Sequence, residues 1–224
     1  MIGEAAVTVI VACRTADGTL VLGADGQLTS EDGNREINKL TFFPFQDGMA
    51  LMGMAARNVS LGYMRKADLF CALRAISSGQ DPVEVIQKRM AQTSENPKNN
   101  VQILCAITSS AIESPRLLGI CDTEAIDMDV SRLCCIGGGD EAAHSFLNQT
   151  IDRIQNLREA QVAVCASVWL AKQADDLCGE HTDIWWLRPD QSMDKLEAGC
   201  IESWEEYFKT SPPDPQPGWM EGVP

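Results

Sequence analysis

The chain has 224 residues, of which 45% are hydrophobic, and it carries a formal net charge of −14 with a sequence pI of about 4.5. This charge argues against a nucleic-acid-binding role, because neutralising phosphates requires clustered Lys and Arg, and it disfavours anionic membrane surfaces. The length and apolar content suit one sizeable core or two small ones, and no linker divides the chain. We therefore expect a single domain over residues 1–210, followed by a proline-rich tail over residues 211–224.

The nine cysteines are scattered along the chain, and most lie inside apolar runs, as small hydrophobic residues do in a reducing compartment. Because no Cys-x-x-Cys pair occurs, the sequence predicts no metal site and no cofactor. The N-terminus lacks a basic segment with a long apolar core, and no run of about 20 apolar residues occurs. These features predict a cytoplasmic protein.

The first half of the chain predicts strands followed by two helices. The apolar runs that predict strands are residues 8–13, 19–24, 40–45 and 49–54. The first two are joined by Asp17-Gly18, a pair that accepts the positive φ angles of a tight hairpin turn. Helical spacing occupies residues 55–77. A second helix begins after Asp81, a suitable N-cap that is followed by proline.

The second half repeats this order. The predicted strands are residues 101–108, 117–122, 126–130 and 133–137, and the predicted helices are residues 143–154 and 157–176. A last core strand is predicted at 184–187 and a short amphipathic helix at 201–208. The tail from Ser211 is expected to be poorly ordered. Such an order of elements fits an α+β fold in which two sheets pack face to face with helices outside.

The opening of the chain resembles that of proteasome β-type subunits. The similar residues are Thr8 to Val11, the Asp17-Gly18 turn, the run Val-Leu-Gly-Ala-Asp-Gly-Gln-Leu-Thr at 21–29, and Lys39. The wording Ala-Asp-Gly-Gln-x-Thr is most similar to the bacterial proteasome-like peptidase that works with an AAA+ unfoldase. The resemblance covers about residues 8–187 and implies the four-layer αββα sandwich of the N-terminal-nucleophile hydrolases.

The resemblance also implies an active site. In this family an N-terminal threonine attacks the peptide bond and its own free α-amine acts as base. Thr8 matches the nucleophile, Asp25 the carboxylate that orients the site, and Lys39 the buried lysine beside it. Gly53 matches the glycine whose N–H stabilises the oxyanion, and Lys39 and Gly53 keep the family's interval.

Further positions follow from the same resemblance. Asp175 and Cys178 lie in a segment that resembles the family's Asp-x-x-Ser-Gly, with Asp183 downstream as that match predicts. The remaining matched positions are a substrate-strand contact and the lining of an apolar specificity pocket: they are Thr29 for the contact and Leu28, Leu51 and Ala55 for the pocket. The implied partners are a peptide or unfolded protein substrate, a homo-oligomeric ring and an AAA+ unfoldase.

Four positions depart from the family pattern. Gly138 and Cys178 stand where the family has serine, and Arg57 stands where it has aspartate. Thr8 is preceded by Val7, whereas glycine favours self-cleavage because it reaches the strained backbone conformation with less steric cost. Without cleavage at Thr8 there is no free α-amine to act as base.

Three hypotheses follow from these observations. The first is a threonine peptidase that acts inside a self-compartmentalised ring after residues 1–7 are removed. The second is a catalytically inactive proteasome-like scaffold with an unprocessed N-terminus, motivated by Val7, Gly138 and Cys178. The third is a hydrolase of small amides on the same fold, with a nucleophile such as Cys13 or Cys178.

Overall fold

The computed structural model describes residues 8–30, 33–36, 39–56, 59–92, 101–121, 124–128, 132–175 and 178–224, without the side chains of 27–30, 33–36 and 59. The strands are β1 (Val9–Arg14), β2 (Leu20–Asp25), β3 (Gln27–Ser30), β4 (Gly33–Glu36), β5 (Leu40–Phe45), β6 (Gly48–Ala56), β7 (Val101–Ser109), β8 (Arg116–Cys121), β9 (Glu124–Asp127), β10 (Leu133–Gly137), β11 (Thr182–Leu187) and β12 (Met193–Lys195). The helices are α1 (Val59–Arg74), α2 (Pro82–Ala91), α3 (Asp140–Thr150), α4 (Leu157–Ala174) and α5 (Ala198–Thr210), with short 3-10 helices at Ile151–Arg153 and Trp219–Gly222. Among the described helices, none combines the length and apolarity needed to cross a membrane.

The predicted hairpin of β1 and β2 forms the centre of the first sheet, whose order is β10-β1-β2-β11-β12. Its turn is closed by the Thr15 N–H, which donates to the Thr19 carbonyl at 3.0 Å, and by the Thr19 N–H, which donates to Asp17 Oδ1 at 3.1 Å. Gly18 adopts φ +87°, a conformation that glycine reaches without a Cβ clash. The pairing places the start of β1 beside the end of β2.

The second sheet has the order β5-β6-β7-β8-β9, and all its neighbouring strands are antiparallel. Strands β3 and β4 pair with each other as a separate two-stranded hairpin. This hairpin follows directly after β2 and was not predicted.

The two five-stranded sheets face each other, and each is covered by helices on its outer side. Side chains alternate along each strand: Ile10 and Leu22 meet Leu51 and Leu104 between the sheets. The outer faces pack against α3, α4 and α5 on the first sheet and against α1 and α2 on the second. The predicted four-layer αββα sandwich is therefore confirmed.

One boundary differs from its prediction. The helical pattern was expected to begin at Ala55, yet Ala55 and Ala56 continue β6 and pair with Gln102 and Val101. Alanine is compatible with both states, so the local sequence does not mark where the strand ends. The extension carries β6 further along the second sheet than predicted.

The expectation of a poorly ordered tail is wrong for this structure. Met220 and Val223 are buried in the helical layer of the first sheet. The Trp219 ring packs edge-on against Phe146 with centroids 5.2 Å apart, and the Trp204 indole N–H donates to the Pro224 carbonyl at 2.7 Å. The prediction was based on the prolines of the tail, but a few buried apolar side chains are sufficient to hold this short segment against the core.

Candidate functional site

Asp25 is the centre of the candidate site. Its carboxylate ends β2 and is completely shielded from solvent. Oδ1 accepts the Val9 N–H at 2.8 Å, while Oδ2 accepts the Lys39 ammonium at 2.8 Å and the Gly179 N–H at 2.7 Å. Hydrogen bonds to an ionised carboxylate from charged and backbone donors are among the strong ones in proteins. Asp25 thus joins the start of β1, the residue before β5 and the segment that precedes β11.

Lys39 completes a buried ion pair with Asp25, and its side chain is only 2% exposed. Burial lowers the pKa of Lys39, because desolvation disfavours the ammonium form, while the charge of Asp25 and its hydrogen bond oppose this shift. The lowered pKa makes Lys39 a better proton donor than an exposed lysine. The predicted association of Asp25 with Lys39 is present in the structure.

Thr8 lies immediately before β1 and is buried. Its carbonyl accepts the Gly138 N–H at 2.8 Å, and the next N–H along the chain, that of Val9, binds Asp25. Gly137 has φ +101°, and a methyl group there would lie 1.5 Å from the Thr8 carbonyl oxygen. The backbone at Thr8 is therefore held on one side by Asp25 and on the other by the end of β10.

Strand β6 carries three further predicted residues. Leu51 packs between the sheets with no solvent exposure, so its side chain does not line an open pocket. Gly53 lies opposite Ile10, since a methyl group added at Gly53 would lie 2.8 Å from the Ile10 side chain. Ala55 lies opposite Gly137, which contacts Thr8, since a methyl group added at Gly137 would lie 3.4 Å from the Ala55 side chain. Along β6, Ala55 is therefore closer to Thr8 than Gly53 is. The Gly53 N–H as oxyanion donor stays a prediction, and this spacing favours an amide closer to the end of β6.

Asp175 and Cys178 lie on the same side of the site. The Cys178 N–H donates to the Asp175 carbonyl at 3.0 Å, and the Cys178 thiol lies 3.8 Å from the Gly138 carbonyl, as a weak donor would. Burial, followed by the charges of Asp25 and Asp175, raises the pKa of Cys178 to about 12. Burial also raises the pKa of Cys13 to about 12. Because the thiolate is the reactive form, neither environment favours a cysteine nucleophile.

This electrostatic environment predicts an order of thiol reactivity. At pH 7.5 we expect iodoacetamide to alkylate the exposed Cys71 and Cys121 while Cys178 stays unmodified, because its thiol is buried and protonated. Peptide mapping by mass spectrometry over time measures this order, with Cys71 as the internal control. Labelling of Cys178 as fast as Cys71 would indicate a thiolate and revive the cysteine-hydrolase hypothesis.

Some predicted residues lie outside the described part of the chain. The structure describes only the backbone of β3, so the side chains of Leu28 and Thr29 are outside the description. Val7 and Arg57 also fall outside the described residues.

Asp183, the last of the matched positions, forms an ion pair with Lys195 of β12. Among the described side chains, no group of three His, Cys, Asp or Glu is arranged to hold a metal ion.

Sequence reasoning missed three contributors to the site. Two are the N–H groups of Val9 and Gly179, because a backbone donor leaves no residue signature. The third is Lys66 of α1, which is buried and donates to the Lys39 carbonyl at 3.3 Å, to Thr41 Oγ1 at 2.5 Å and to the Met52 carbonyl at 3.4 Å. A lysine on the otherwise apolar face of the predicted helix was the available signal.

No protein-family model and no curated protein matches this sequence. Solved structures do match. Anbu from Pseudomonas aeruginosa, solved as a helical assembly, has a TM-score of 0.68 at 14% identity over 94% of this chain and 99% of that chain. The ancestral β-subunit Anbu from Yersinia bercovieri has a TM-score of 0.67 at 15% identity over 91% of this chain and 93% of that chain. HslV from Trypanosoma brucei has a TM-score of 0.63 at 17% identity over 80% of this chain and 99% of that chain. At these identities the similarity is one of fold, and it agrees with the resemblance seen in the opening hairpin: this chain has the proteasome-like fold of the N-terminal-nucleophile hydrolases.

Proposed function

We propose that the protein is a proteasome-like threonine peptidase that hydrolyses peptide bonds inside a self-compartmentalised ring assembly, with Thr8 as nucleophile after removal of residues 1–7. The observation that carries this proposal is the buried Asp25–Lys39 ion pair beside the start of β1. A charged pair in the interior is costly to desolvate, and a packed apolar pair is often at least as stable. Because the ion pair lies next to Thr8, it can assist the proposed attack by the Thr8 hydroxyl.

The chemistry follows from the groups present once Thr8 is the first residue. Its free α-amine, with an ordinary pKa of about 7.7–8.0, takes the proton of the Thr8 hydroxyl as Oγ1 attacks the peptide carbonyl. The positive charge of Lys39 favours the developing alkoxide, and Asp25 holds Lys39 in place. The protonated amine then gives its proton to the leaving amine. Water hydrolyses the resulting ester and regenerates the hydroxyl.

The remaining parts of the proposal concern the substrate and the assembly. Backbone N–H groups near the end of β6, from Gly53 to Ala56, are the proposed oxyanion donors. Thr29 is the proposed substrate-strand contact, and Leu28 and Ala55 are the proposed lining of an apolar pocket. We propose a peptide or unfolded protein as substrate, an AAA+ unfoldase as partner and the cytoplasm as location. The helical assembly of Anbu from Pseudomonas aeruginosa supports a homo-oligomer.

A second candidate is a catalytically inactive scaffold with an unprocessed N-terminus. Two positions near Thr8 favour it. Gly138 offers only its backbone N–H to Thr8 and has no hydroxyl for an α-amine. Cys178 supplies a weak thiol donor where the family has serine. Val7 before the cleavage site is the third reason.

The two candidates are separated by the mass of the purified particle and by labelling at Thr8. The peptidase predicts loss of residues 1–7 in intact-mass spectra, labelling by an electrophile that reacts with N-terminal threonine, and a ring-sized native mass. The Thr8→Ala variant should keep the same number of subunits, retain residues 1–7 if Thr8 performs the cleavage, and lose both labelling and turnover. An assembled particle that keeps Met1 and lacks amidase activity would establish the scaffold instead.

A further inference from the structure

Lys66 is a second buried lysine close to the site, and the proposed chemistry does not use it. It lies on α1 and is 3% exposed. Its ammonium donates to two backbone carbonyls, those of Lys39 and Met52, and to the hydroxyl of Thr41. These acceptors belong to the first residues of β5, to the residue before it, and to β6. One ammonium group therefore joins β5 to β6 at the point where the chain passes from Lys39 into β5.

This ammonium is expensive to bury. Its surroundings are the Lys39 and Met52 carbonyls, the Thr41 hydroxyl and, from β7, the thiol of Cys105. Desolvation lowers the pKa of Lys66 to about 8, and the electrostatic interaction with Cys105 opposes this shift. Among the described residues no carboxylate bonds to the ammonium. An apolar residue on this face of α1 would avoid the desolvation cost, so the lysine breaks the local pattern.

The position of the acceptors suggests what the lysine does. Lys39 O belongs to the residue whose side chain binds Asp25 2.8 Å away. Met52 O belongs to the same peptide unit as the Gly53 N–H. The Lys66 ammonium thus links the backbone of Lys39 to β6, and it polarises the peptide that carries the Gly53 N–H, one of the proposed oxyanion donors. Both effects act through other groups, because the Lys66 side chain extends from α1 to β5 and β6 of the second sheet.

We propose that Lys66 is a positioning residue that fixes the backbone of Lys39 against β6, so that the Lys39 ammonium meets Asp25. The inference rests on the proposed function for its catalytic consequence, while the geometric consequence can be measured independently. Loss of the hydrogen bonds from Lys66 releases the backbone of Lys39 and lets the Lys39 ammonium move away from the Asp25 carboxylate. The same loss has no direct effect on a substrate.

The geometric test compares crystal structures of wild type, Lys66→Met and Lys66→Arg, with Lys88→Met as control because Lys88 is an exposed lysine of α2. We expect the Lys39 Nζ–Asp25 Oδ2 contact to persist in wild type, Lys66→Arg and Lys88→Met, and to lengthen beyond about 4 Å in Lys66→Met. Should Lys66→Met fail to fold, Thr41→Val removes one acceptor and is expected to disorder Lys39 more mildly. An unchanged contact in the variant that folds would overturn the proposal.

The catalytic test uses the same variants. A small displacement of a catalytic group costs on the order of 10- to 100-fold in rate, so kcat of Lys66→Met is expected to fall by that factor with KM within about twofold. Lys66→Arg should recover most of the rate. If wild type itself shows no Thr8-dependent turnover, the peptidase proposal fails while the crystallographic distance still decides the role of Lys66. A Lys66→Met enzyme with wild-type kcat would overturn the positioning role.

The burial of Lys66 also predicts a pH dependence of stability. Between about pH 8 and pH 10.5 the folded protein has released the Lys66 proton while the unfolded chain still binds it. The free energy of unfolding is therefore expected to rise with pH in this window for wild type, relative to Lys66→Met. Urea unfolding at intervals of half a pH unit measures this difference between the two proteins. A constant difference across the window would mean that Lys66 titrates as an exposed lysine.

Discussion

Replacement of Asp25 by asparagine is expected to lower the free energy of unfolding by about 3–5 kcal/mol. Asparagine has the same shape, and its carbonyl oxygen can still accept the Val9 N–H. Its NH₂ group, however, would face the Lys39 ammonium and the Gly179 N–H, which are both donors. The substitution leaves a buried cation without a counter-charge and turns a hydrogen-bonded contact into a donor–donor clash. Urea unfolding at pH 7 measures the loss.

The matched control for Asp25→Asn is Glu206→Gln. Glu206 pairs with Lys209 on α5 with both side chains more than half exposed. Such an exposed pair contributes little, so we expect a change within the error of the unfolding measurement. A second comparison is Asp25→Asn with Lys39→Met, which removes the orphaned cation and should recover part of the lost stability. A small effect of Asp25→Asn alone would show that the pair is solvated, and it would remove the main support for the proposed site.

The parts of the site that could be predicted from sequence are those fixed by local geometry. The Asp17-Gly18 turn determines the pairing of β1 with β2, and this pairing places Thr8 and Asp25 at the same end of the sheet. Asp81 accepts the Val83 N–H at 2.8 Å and begins α2 as a helix cap should. Each of these features depends on residues close in sequence, so the pattern of residue types is sufficient.

The parts that could not be predicted depend on long-range contacts. Gly179 supplies a backbone donor to Asp25 across an interval of 154 residues, and no residue type encodes such a contact. Lys66 was assigned to a helix correctly, yet its burial depends on how α1 lies across β5 and β6. The association of Asp25 with Lys39 was expected mainly because of the family resemblance, since a lone lysine is usually solvated.

Gly137→Ala is expected to destabilise the protein by at least about 3 kcal/mol and to displace the start of β1. Two costs add. A residue with a Cβ is strained at φ +101°, and the new methyl group would lie 1.5 Å from the Thr8 carbonyl oxygen and 2.7 Å from its carbon. Both obstructing atoms are backbone atoms, so no rotamer change relieves the clash. Thr8 must move, and its hydrogen bond from Gly138 is expected to break.

Gly79→Ala separates the two costs, because Gly79 has φ +77° but no atom within 4 Å of the added methyl group. We expect it to lose only the conformational cost of about 1–2 kcal/mol, reduced by a few tenths or more through the lower entropy of the unfolded chain. Denaturant unfolding of both variants gives the difference, which isolates the contact with Thr8. Under the peptidase proposal, Gly137→Ala should also block removal of residues 1–7 while Gly79→Ala leaves it intact. Equal destabilisation by the two substitutions would mean that the end of β10 does not contact Thr8 closely. Other residues would then have to align Thr8 with Asp25.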